Sequence, residues 1–158
     1  MENFTLEAAV IALQLQQMLM ELGYELDLNS GRKIGDFYTE DGAFLCSSCA
    51  YRGRDSIVEF HRDHLMRVRG THKDGVRTTR HTFTNLRFDI QDNNHWSVYF
   101  ISAYYAGEGT PPVPKLAGPT TVSDCRMFCR READGKWRIA EFGVTPIFLG
   151  SDSSRTAR

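Results

Sequence analysis

The chain predicts an α+β fold, a cone-shaped barrel made of a strongly bent, mostly antiparallel sheet covered by about three helices. Helical periodicity is confined to the first half of the chain. The second half reads as consecutive strands joined by turns. An antiparallel sheet must cover its apolar face, and the helices supply that cover, leaving a cone between the two layers in which an apolar ligand can sit.

The first helix is predicted over about residues 5 to 26. Ile11, Leu15, Met18, Leu22 and Leu26 share one face, with Leu19 at its edge. A second apolar stripe of Leu6, Leu13, Met20 and Tyr24 lies nearly opposite, which predicts a helix covered from both sides and a buried Tyr24. The "NSG" at 29–31 ends this helix, a short helix follows with Ile34, Phe37 and Tyr38, and "AFLC" starts a strand. The second long helix begins in "GRDSIVEFHRDHLMRVR". Asp55 or Ser56 can cap it, and Glu59 stands three residues after Ser56, as a capping box requires. Its apolar face holds Ile57, Val58, Phe60, Leu65 and Val68, with His61 and His64 on the same face.

In "RTTRHTFTNLRFDI" the alternation of His81, Phe83 and Asn85 slips into Leu86, Phe88 and Ile90, which predicts a bulge at 85/86. "DNN" turns the chain into "HWSVYFISAYYA", "GEGTPPVPKLAGP" forms a long loop, and two further runs flank the turn "ADGK" as a hairpin.

Length and composition bound the rest. The 158 residues fit one domain over 1–150, with the polar "SDSSRTAR" at 151–158 expected to be a disordered tail. With 19 basic and 20 acidic residues there is no electrostatic case for nucleic acid or an anionic membrane. There is neither a bilayer-spanning run nor a secretory signal at the N-terminus, so a cytoplasmic location is expected.

Cys46 and Cys49 form a C-x-x-C, and Cys125 and Cys129 stand four apart on a predicted strand. Strand rise separates that second pair by roughly 13 Å, too far for one zinc with bonds of about 2.3 Å. All four are therefore expected to be reduced and mostly buried, with no metal. No Gly-rich phosphate loop or nucleophile elbow appears, and no cofactor is expected.

Four strings, "GYELDLNSGRKIGDFYTEDGAF", "YRGRDSIVEF", "TRHTFTNLRFDI" and "FCRREADGKWRIAEFGVTPIF", resemble the SnoaL-like branch of the nuclear transport factor 2-like superfamily over about residues 8 to 148. The nearest functional resemblance is to the scytalone dehydratase and bile acid dehydratase group. It implies a tyrosine near the end of the first helix, an aspartate five residues later and a histidine on a strand. Tyr24 and His81 match the tyrosine and the histidine, whereas the acid position falls on Asn29. Asp27 is near but out of register, although it shares a helical face with Tyr24. The resemblance to ketosteroid isomerases is weaker, because Cys46 stands where the strand-borne base would be.

His81 is the candidate base, set against a plainer reading as an ordinary strand histidine. Tyr24 can donate its phenolic proton or simply be a core tyrosine. Asn29 can orient His81 but cannot carry its charge, and Asp27 is either the acidic partner or a cap for the next helix. Phe60, His61 and His64 are candidates for lining the cavity; Asp124 and Arg126 would hold a polar substrate end or form a cross-strand ion pair.

The expected function is that of a cofactor-independent lyase, dehydratase-like, or an isomerase acting on a cyclic, mostly apolar small molecule. The alternative is a non-catalytic small-molecule binding protein, or a structural subunit resembling the β subunit of ring-hydroxylating dioxygenases. "FISAYY" and "RMFCRR" supply aromatic and arginine residues on the outer sheet face, from which a homodimer or trimer is expected.

Overall fold

Thr5 starts helix α1 (Leu6–Leu28) by accepting a hydrogen bond from the Ala8 N–H on its hydroxyl, at 3.1 Å. The computed structural model describes residues 5–114 and 118–150, so the tail expected at 151–158 lies outside it. One turn of 3-10 helix at Ile34–Phe37 follows α1 and leads into β1 (Tyr38–Cys46) and β2 (Cys49–Arg52). Helix α2 (Arg54–Thr71) comes next. It is followed by four longer strands, β3 (Arg77–Asp92), β4 (His95–Glu108), β5 (Thr121–Arg131) and β6 (Trp137–Leu149).

The six strands form one sheet in the order β2-β1-β6-β5-β4-β3. Only β1 and β6 run parallel; every other pair is antiparallel. The α+β class is as expected, but the sheet is not closed into a barrel by hydrogen bonds. Its edges are β2 and β3, and α1 packs along β3. The predicted slip is present: the β3–β4 register shifts between Thr84 and Arg87, and Asn85 takes a φ of 56°.

Leu15, Leu19 and Leu22 of α1 and Ile57 of α2 are buried against Trp96, Val98, Met127, Cys129 and Ile139 of the sheet. Each such side chain contributes about 1.5–3 kcal/mol relative to leaving it exposed. This is the face the helical wheel assigns to the core.

Four sequence expectations need correction. The opposite stripe of α1 is not covered: Leu6, Leu13, Met20 and Tyr24 are all exposed, because no described element packs on that side. The capping box on α2 is absent. Strand β2 hands directly to the helix, which begins one residue before Asp55 with Gly53 at its N-cap and no side-chain cap. The sequence reads the chain as leaving the "AFLC" strand for a loop, whereas the four-residue strand β2 pairs back on β1 there. Finally, Cys46 and Cys49 are joined by a disulfide, with Cα atoms 5.0 Å apart. The two-residue turn of the β1–β2 hairpin makes them facing partners. Cys125 and Cys129 are free and buried, and burial pushes the Cys125 thiol up to about 12.

Candidate active site

Helix α1 runs without a break to Leu28 and stops where Ser30 and Gly31 enter the left-handed region, with φ of 60° and 69°. Gly31 is also where the chain passes His61: a Cβ there would lie 3.2 Å from its Nδ1. The place of this stop decides which polar residue reaches the sheet. On an unbroken helix Asp27 is about 60° from Tyr24 in projection, and Asn29 about 140°. Asp27 therefore faces β3 and Asn29 does not. Asn29 instead donates its side-chain amide to Glu25 at 2.8 Å, and Glu25, itself buried, also accepts from the Lys33 N–H at 2.6 Å.

Asp27 holds His81 by two bonds. Its Oδ2 accepts from the His81 backbone N–H at 2.6 Å, and its Oδ1 lies 2.8 Å from the ring Nδ1. The Thr79 hydroxyl donates to the same Oδ1 at 2.9 Å. Burial works to raise the Asp27 pKa, but the hydrogen bonds and charge of His81, with the Thr79 bond, outweigh it and hold the carboxyl below its usual value. An ionised carboxylate facing Nδ1 fixes the proton there, so the neutral ring presents a bare Nε2. The ring packs against Tyr104, with centroids 4.7 Å apart, and against Phe83.

A groove of about 310 Å³ runs between α1 and β3, lined by Met20, Gly23, Tyr24, Asp27, Leu28 and residues 80–83 of β3. Tyr24, Asp27 and His81 thus share one groove. Gly23 is required where the helix approaches the strand, since a Cβ would meet the Phe83 ring at 2.8 Å.

Phe60, His61 and His64 do not line this groove. They belong to an aromatic cluster on α2, in which Phe60 stacks on Tyr51 at 4.3 Å and Phe44 contacts Phe60, His61 and Phe142. Phe142 and Phe83 both meet Phe100, which connects the cluster to His81. Burial, reinforced by His64 and His81, brings His61 down to about 4, so it is neutral at pH 7; His64 is lowered by burial and by Arg77 and Arg67.

Asp124 and Arg126 are remote from the groove. They alternate with the buried Cys125 and Met127 and therefore point to the opposite, outer face of β5. There Arg126 lies over Tyr99 and Phe128 and donates to the Ser97 hydroxyl at 3.4 Å. No ion pair joins Asp124 and Arg126 among the described residues. Sequence reasoning missed Thr79 and Tyr104. The two-residue alternation of Thr79 with His81 was the available signal for the first, whereas Tyr104 needs the β3–β4 register.

A family model described as a SnoaL-like domain matches residues 11–143. The chain belongs to the SnoaL-like domain family. A Catenulispora acidiphila protein solved in complex with S-DNPA is 21% identical, with a TM-score of 0.70, covering 95% of this chain and 99% of that one. A candidate scytalone dehydratase from Novosphingobium aromaticivorans is 16% identical, with a TM-score of 0.72 and coverage of 91% and 89%. An NTF2-like protein with a cystatin-like fold from the same organism is 15% identical, with a TM-score of 0.68 and coverage of 100% and 99%. Curated proteins gave no match. The SnoaL-like chain thus has the NTF2-like fold. Among its described residues no helix is long and apolar enough to cross a membrane, and no three His, Cys, Asp or Glu side chains gather to hold a metal.

Proposed function

We propose that this SnoaL-like protein is a cofactor-independent lyase or isomerase that abstracts a proton next to a carbonyl on a cyclic, mostly apolar small molecule. The observation that carries this reading is the two-bond hold of Asp27 on His81. His81 Nε2 is the base, and Asp27, the acidic partner the sequence offers as an alternative to Asn29, orients the ring and stabilises the imidazolium that forms. Tyr24, in the same groove, donates its hydroxyl to the developing enolate oxygen. In a dehydration the imidazolium proton leaves with a β-hydroxyl as water. In an isomerisation it returns to another carbon. Phe83, with Met20 and Leu28, supplies an apolar wall for ring systems.

The test needs no knowledge of the natural substrate. Deuterium uptake from D2O at the activated carbon of 2-tetralone, followed by mass spectrometry, reads proton abstraction directly. The parent protein should accelerate the exchange and His81→Gln should not. Equal exchange with both proteins refutes the base assignment. Binding of cyclic ketones without accelerated exchange supports the non-catalytic binding reading instead.

A further inference from the structure

The surface of α1 that the core leaves open carries an apolar stripe, interrupted at Gln17 and flanked by the exposed Glu7, Gln14, Gln16 and Glu21. Leu6 is 84% exposed, Val10 48%, Leu13 66%, Met20 39%, Tyr24 59% and Leu28 49%. Leu6, Val10, Leu13, Gln17, Met20 and Tyr24 follow each other at alternating steps of four and three, the spacing of a coiled-coil seam. Gln17 is the one polar residue in the seam, and its amide donates to Glu21 at 2.7 Å.

The two flanks of the seam differ in charge. One carries Glu7, Gln14 and Glu21. The other carries Ala9, Gln16 and Gly23 and adjoins β3, whose exposed Arg80 lines the groove beside Met20 and Tyr24. Helix α1 has four acidic residues (Glu7, Glu21, Glu25, Asp27) and no basic one. Arg80 donates to its neighbouring Thr79 carbonyl and has no ion-pair partner among the described residues. Two such helices packed antiparallel would set acidic flank against acidic flank. Packed parallel, each acidic flank meets the Arg80 flank of the other.

We propose that the α1 seam docks on the same seam of a second copy of this chain, in parallel, with Glu21 of each copy facing the partner's Arg80. The arrangement puts Tyr24 against the partner's Tyr24 and Met20 against the partner's Met20. It therefore covers the outer lip of the groove that leads to Asp27 and His81, and it takes Tyr24 out of bulk water. The interface is distinct from the outer sheet face, whose arginine–aromatic contacts lie on the far side of the core.

Analytical ultracentrifugation at micromolar concentration is expected to find a dimer. Leu13→Glu should raise the dimer dissociation constant by about tenfold or more. Circular dichroism should be unchanged, because that side chain is already largely in water. Glu21→Arg and Arg80→Glu should each weaken the dimer, and the two changes together should restore it. Val10→Cys should form a disulfide-linked dimer on mild oxidation, because Val10 lies near one end of the seam and meets its own copy in the parallel arrangement, not in one antiparallel about the seam's centre. A monomeric parent protein, a dimer indifferent to Leu13→Glu, charge reversals without mutual rescue, or no Val10→Cys cross-link would each overturn the proposal.

Discussion

Two Asp–His pairs in this protein have almost the same bond length and opposite surroundings. His81 Nδ1 lies 2.8 Å from Asp27, and His95 Nδ1 lies 2.9 Å from Asp92. The first joins β3 to a helix 54 residues earlier, with side chains 20% and 7% exposed. The second spans three residues at the β3–β4 turn, with side chains 38% and 59% exposed. Asp92 also accepts from the Asn94 N–H at 2.7 Å, so its pair belongs to the turn. The difference teaches that a short Asp–His contact carries no functional meaning by itself. Water screens the turn pair and competes for its bonds. The groove pair is shielded, its carboxylate accepts three hydrogen bonds, and its imidazole lines a cavity.

The largest expected contrast is kinetic. His81→Ala should slow proton exchange on 2-tetralone by about 10² to 10⁴-fold, the range for losing a general base. His95→Ala should leave the rate unchanged. Equal losses would mean the two pairs do not differ in the way proposed.

Stability should separate the acids. Asp27→Asn keeps one acceptor oxygen but puts an NH2 donor where the other stood, so the His81 ring and backbone N–H cannot both be satisfied, and should cost about 1–3 kcal/mol in urea unfolding. Asp92→Asn should stay within about 0.5 kcal/mol. A smaller kinetic effect belongs to the tyrosine: Tyr24→Phe should lower kcat by roughly tenfold, about 1.4 kcal/mol, with KM little changed.

A further contrast is the pH dependence of stability. The folded pKa of His61 lies at about 4, below its ordinary 6.5, so the unfolded chain binds the proton first. Stability should therefore fall as pH drops from about 6.5 to about 4, and His61→Gln should flatten that limb in a series of Tm measurements. The folded Asp27 pKa is also lowered, so the stabilisation it supplies is present above the unfolded carboxyl value and fades as pH falls through the folded one. That limb lies at lower pH and should vanish in Asp27→Asn. A Tm that rises from pH 6.5 toward pH 4 would contradict the His61 assignment, and an acid limb unchanged in Asp27→Asn would contradict that of Asp27.

Much of this fold was legible in the residues alone. The buried face of α1, the bulge after Asn85 and the β5–β6 hairpin follow from periods of 3.6 and 2 and from turn residues, which are properties of neighbouring side chains along the chain. His81 and Tyr24 were identifiable as candidates through resemblance. Spacing counted along the sequence puts the acid position on Asn29 and leaves Asp27 as the alternative. Its true contact depends on how far the helix continues before it stops.

The α+β class, the order of the long elements and the apolar stripes follow from local geometry and residue type along the chain. Packing and strand pairing set the rest: Asp27 meets His81, Cys46 faces Cys49, and one stripe of α1 is covered while the other is open. Each of these depends on which distant element occupies the space beside a residue. An apolar stripe marks a surface that favours cover without naming what covers it, and a carboxylate becomes a partner only when packing brings an imidazole within hydrogen-bond reach.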